Sequence, residues 1–120
     1  MGIFKKRKEA PPKVSQDEIL QNLADFNEKQ GNWQMAFKLR HKAVIDLYDG
    51  EIVKFLVRAR EDKSNAYQFL CLARDQYDSF RDWCMTQPDG ERFFDYFDRT
   101  GSEKVSRYER ILSDIAKLEK

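Results

Sequence analysis

The residues able to do chemistry in this chain are few. His41 is the sole imidazole and Cys71 and Cys84 are the two cysteines. One histidine and two thiols fall short of the four ligands of a structural zinc site unless carboxylates join them. Gly2, Gly31, Gly50, Gly90 and Gly101 stand singly, so no glycine-rich loop exists to cradle a phosphate or dinucleotide. No serine lies in a nucleophile-elbow pattern. Asp95, Asp98 and Glu103 flank Gly101, but their spacing misses the calcium-loop pattern and reads as a solvated helix face with helix-terminal charges. His41 sits beside Phe37 and Val44 at helical spacing and reads as a core or boundary histidine. We therefore expect no catalytic residues, metal site, cofactor or small-molecule substrate.

Binding chemistry is better represented. Lys5, Lys6, Arg7, Lys8 and Lys13 face one acid, Glu9, in the first fourteen residues, a local net of +4. With +1 for the whole chain, the remaining 106 residues carry −3. A basic arm on a mildly acidic body suits a nucleic-acid backbone, an anionic membrane surface or an acidic protein patch. Phosphate contacts made by such an arm add salt-dependent affinity but read no sequence. Phe93, Phe94, Tyr96 and Phe97 form the second candidate. Four rings within five positions point around most of a helix, so the segment is either sandwiched between helices or offers a partner-binding or self-association surface.

These groups need elements to position them. Charged residues make up 36% of the chain and hydrophobic residues 41%, with five Gly and three Pro, a balance that favours helices with solvated faces. Pro11-Pro12 ends the arm in extended backbone. Ser15 and Glu18 form a capping box for a first helix with the apolar stripe Ile19, Leu20, Leu23 and Phe26. Gly31 is a left-handed stop, and Asn32 caps a second helix carrying Trp33, Ala36, Phe37, Arg40, Ala43, Val44 and Leu47. Asp49-Gly50 ends that helix; between apolar runs it is also a hairpin signal. The adjacent apolar pairs on both sides favour helix, with Phe37, His41, Val44, Tyr48, Ile52, Phe55 and Ala59 on one side. A third helix is expected from Glu51 to about Asp62 and a fourth from Ser64 or Asn65 to about Thr86. The fourth has the stripe Ala66, Phe69, Leu70, Ala73, Tyr77, Phe80, Trp83 and Cys84. Pro88-Asp89-Gly90 turns the chain into a short aromatic helix over residues 91–99. Gly101 and Ser102 precede the last helix, whose seam is Val105, Tyr108, Ile111, Leu112, Ile115 and Leu118.

Leu20, Leu23 and Ala24, the turn Gly31-Asn32-Trp33, and Ala36 with Ala43 resemble one tetratricopeptide repeat over residues 19–47. The pattern departs at Asn27, Arg40 and Tyr48, and no second copy follows. The resemblance implies a tight helical hairpin and protein binding.

The expected architecture is all-α: a compact array of five to six antiparallel helices over residues 15–120, with an extended basic arm over residues 1–14. The expected function is that of a non-catalytic protein-interaction or assembly component, a small subunit of a larger complex such as a viral one. The alternative is a nucleic-acid-associated protein acting through its arm. No apolar run follows the basic N-terminus as a signal peptide requires, and no stretch approaches a membrane span. Lys6 occupies the position where a myristoylation motif wants Ser or Thr. Two thiols thirteen residues apart on one helix do not bridge, which points to a reducing, cytoplasmic setting.

Overall fold

In the computed structural model, residues 15–99 and 105–119 are described. They form six α-helices, with no strand among them: α1 (Gln16–Lys29), α2 (Trp33–Arg40), α3 (Lys42–Glu61), α4 (Ala66–Cys84), α5 (Gly90–Asp98) and α6 (Arg107–Leu118). The fold is all-α, as the periodicity requires. The basic arm, Gly101 and Ser102 lie outside the described residues.

Contacts divide the chain between Arg40 and His41 into two compact units. The first is the α1–α2 pair. Ser15 accepts the Glu18 backbone N–H at 3.0 Å and opens α1 as its capping box foretells. Gly31 closes the connection at φ +83°, a conformation that costs glycine little. Ala24 on α1 and Ala36 on α2 are both buried in this helix pair. Arg40 donates to Asp25 at 2.8 Å and also to Glu28, tying the end of α2 back to α1.

The second unit is built on α4, which packs against α3, α5 and α6. The expected break at Asp49-Gly50 is absent: α3 runs unbroken through both residues for 20 residues, which removes the hairpin alternative. Ile45, Ile52 and Ala59 are buried along one side, and that burial outweighs the ~0.5–1 kcal/mol that a mid-helix glycine costs. The actual break is at His41, whose backbone leaves the helix at φ −124°, ψ 31°. Its ring meets Trp83 edge-on at 5.1 Å. No glycine or proline marks this break.

The α4 stripe holds as expected, with Leu70, Ala73, Tyr77, Phe80 and Cys84 buried. Gly90 starts α5 against the end of α4; a Cβ there would lie 1.7 Å from the Cys84 carbonyl oxygen. Asp89 takes the left-handed conformation just before it. α6 begins later than expected. Val105 is exposed and precedes the helix, and Ser106 is the N-cap, accepting the Glu109 backbone N–H at 3.0 Å.

Candidate functional site

The aromatic segment resolves into inner and outer residues. On α5, Phe93 and Phe97 are buried. The Phe97 ring meets Phe80 at 4.7 Å and Tyr77 at 6.0 Å between centroids. Phe94 is half-buried against Tyr77 and Phe80, at 6.1 and 6.0 Å. Tyr96, 39% exposed, is the one of the four that faces outward. The reason is geometric: packing on α4 takes Phe94 and Phe97, and the buried Phe93 lies one turn before Phe97 on the same side of the helix. A partner meeting this side of α5 would meet mainly Tyr96. The arm candidates Lys5, Lys6, Arg7, Lys8 and Lys13 lie outside the described residues.

The acidic residues near Gly101 take separate roles. Asp95 pairs with Arg99 at 3.2 Å on the surface. Asp98 is buried at 5% exposure, so the solvated-face reading fails for this residue. Its carboxylate accepts the Tyr108 backbone N–H at 2.8 Å and the Ser106 hydroxyl. It thereby completes the N-terminal cap of α6 from the end of α5, with the helix dipole favouring its charge. Glu103 is outside the described residues. No group of three or more His, Cys, Asp or Glu among the described residues is placed to hold a metal ion. Cys71 and Cys84 are free thiols, and burial pushes Cys84 up to about 12.

Around Asp98 the α4–α5–α6 junction is polar. Arg107 donates to the Phe97 carbonyl at 3.2 Å and lies 4.7 Å above the Phe97 ring. Tyr108 donates its hydroxyl to Asp78 at 2.6 Å, tying α6 to α4. Burial raises the Tyr77 hydroxyl above its ordinary range, and no partner accepts from it among the described residues.

The feature that sequence reading missed lies on the other side of Arg107. A groove of about 640 Å³ opens between the C-terminal half of α3, the start of α4 and the length of α6. Its apolar lining is Leu56 and Ala59 from α3, Ala66 and Leu70 from α4, and Ile111 and Leu118 from α6. Leu118, assigned to the helix seam, is 50% exposed at its end. Five cations surround the lining: Arg60, Lys63, Arg107, Arg110 and Lys117. One acid, Asp114, stands among them, 3.9 Å from Lys117. The α6 share of this pattern is present in the sequence, since Arg107, Arg110 and Lys117 recur at intervals of three and seven beside Ile111 and Leu118. What periodicity does not supply is Arg60 and Lys63, brought in from the last turn of α3 and the α3–α4 connection.

A second surface overturns an expectation. The α1 stripe does not enter the core as a whole: Ile19, Leu23 and Phe26 are 43%, 46% and 61% exposed. Ala24 and the half-buried Leu20 lie on a different side of the helix. Small-residue packing of α1 on α2 selects the Ala24 side, which turns the three larger side chains outward.

Among the described residues no helix is long and apolar enough to cross a membrane. Compared with protein-family models, with curated proteins and with solved structures, the chain matches none.

Proposed function

We propose that this protein is a non-catalytic interaction or assembly component that receives an acidic, amphipathic helix in the α3–α4–α6 groove. The observation that carries this reading is the pairing of an apolar lining with a rim of four exposed cations, Arg60, Lys63, Arg110 and Lys117, and one acid. The lining offers area to bury; the rim steers an acidic ligand and sets its orientation. A helix with its side chains is ~10–12 Å across, and α6 offers ~16 Å of wall at 1.5 Å per residue, so two to three turns fit. Helix-in-groove docking needs no more than such anchors at i, i+3, i+4 and i+7 spacing.

The burial of Ala24 and Ala36, two of the small residues that carry the resemblance, supports the reading of α1–α2 as a repeat-like, protein-binding hairpin. Two free thiols support a reducing compartment. The nucleic-acid alternative rests on the arm: Lys5, Lys6, Arg7, Lys8 and Lys13 against Glu9. A salt titration of nucleic-acid binding, repeated after deletion of residues 1–13, tests it.

The groove is tested by charge reversal. The full chain and its Lys63→Glu/Arg110→Glu variant are each used to isolate complexes from the native source, and the intact complexes are weighed. The expected result is a complex formed by the parent and lost in a variant whose helical circular dichroism is unchanged. An identical set of complexes from both chains refutes the groove.

A further inference from the structure

We infer that the groove is filled by α1 of a second copy of this chain, which joins copies head to tail. This rests on the groove reading above and names its occupant. Three observations converge on α1. First, Ile19, Leu23 and Phe26 stand at i, i+4 and i+7 and are all exposed, the arrangement of anchors that a helix groove takes. They span ~10.5 Å along the axis, within the ~16 Å of wall that α6 provides. Second, the charges are complementary. Glu18 and Asp25 stand on one flank of the exposed α1 stripe, with Lys29 beside them, while Arg60, Lys63, Arg110 and Lys117 stand exposed about the groove against Asp114, a net of +3. Third, the charges share a repeat. Glu18 and Asp25 lie seven residues apart on one flank of the α1 stripe, and Arg110 and Lys117 lie seven apart on the α6 rim. Two helices laid side by side bring both pairs within reach at once. Asp25 already pairs with Arg40, but both partners reach solvent, where an ion pair is weak enough to be exchanged.

The two surfaces are different, so the contact is heterologous: each copy offers one α1 and one groove. Such a contact propagates into a chain or closes into a ring rather than stopping at a symmetric pair. Two helical turns bury less than a standard interface, so association is expected at high concentration and weakens with salt.

Sedimentation equilibrium on the full chain between about 10 µM and 1 mM, where an undersized interface associates, tests this. The parent's weight-average mass is expected to climb above 14.3 kDa with concentration and to fall back in high salt. A face variant, Leu23→Glu/Phe26→Glu, and a groove variant, Lys63→Glu/Arg110→Glu, each stay at the monomer mass; all four positions are exposed, and circular dichroism checks that both variants fold. Mixed together, the two variants retain one intact face and one intact groove. They are expected to reach twice the monomer mass and go no further. A parent that stays monomeric throughout the range overturns the inference. So does a mixture that fails to pair although the parent associates. If the parent is monomeric yet groove reversal still abolishes a complex with another protein, the groove stands and its occupant is that protein's helix. If groove reversal changes neither, both readings fall.

Discussion

Replacing Gly50 by alanine separates the two ways that Asp49-Gly50 can be built. In α3, Gly50 is helical and exposed, and a Cβ at this position meets no atom within 4 Å. The new methyl therefore costs nothing in the folded state, while alanine removes the excess backbone freedom that glycine has when unfolded. The expected gain is about 0.5–1 kcal/mol. For a cooperative unit of 60–100 residues this raises Tm by roughly 2–8 °C. The counterpart is Gly90→Ala, where the same methyl would sit 1.7 Å from the Cys84 carbonyl oxygen. Backbone cannot rotate aside as a side chain does, so α5 must shift from α4, at a cost of about 1–3 kcal/mol or more. Thermal and urea unfolding followed by circular dichroism measure both changes. A loss of stability in Gly50→Ala would refute the continuous helix, because a turn that needs glycine at position 50 is strained by alanine. A neutral Gly90→Ala would refute the close approach of α5 to α4.

Asp98→Ala leaves the Tyr108 N–H and the Ser106 hydroxyl without their buried acceptor, and is expected to cost about 2–4 kcal/mol in urea unfolding. Ser106→Ala costs about 1 kcal/mol alone; the double variant should lose less than the sum of the two, since both act on one cap. Phe80→Ala removes a fully buried ring from between Trp83, Phe94 and Phe97 and is expected to cost about 3–5 kcal/mol, read by the same unfolding curves. The Cys84 thiol ionises near 9 when unfolded and near 12 when folded, so the fold holds its proton more tightly. That contribution is complete below pH 9 and disappears as pH rises toward 12; Cys84→Ala should make stability fall less steeply over this window. In native protein, alkylation read by mass spectrometry is expected to reach the half-buried Cys71 before Cys84.

Much of the fold is legible in the residues. The Ser15–Glu18 box, the left-handed Gly31 and the α4 stripe are local signals, carried by side chains within one or two turns of one another, and each is realised. The Ser106–Glu109 box belongs to the same class and is equally plain, but Gly101 and Ser102 drew the start of the last helix upstream of it. The break at His41 has no local signal. It coincides with a division of allegiance, Arg40 to the α1 carboxylates and the His41 ring to Trp83, and such contacts are made 12 to 42 residues apart.

The candidate surfaces follow the same division. Periodicity determines that α1 has an apolar stripe and that α6 has cations beside its seam, because both patterns repeat within a single helix. Which side of α1 is covered depends on the α1–α2 packing that buries Ala24 and Ala36, and that choice leaves Ile19, Leu23 and Phe26 outside. Which of the four α5 rings stays exposed depends on how α4 receives them. The groove itself exists because α3 and α6 both pack on α4 and bring Arg60, Lys63 and Arg110 around one apolar floor. A sequence written in one dimension sets the faces of each helix by the fixed angle between successive residues. Which face meets a neighbour is decided by the competition among all faces for a limited core, and that is settled only in three dimensions.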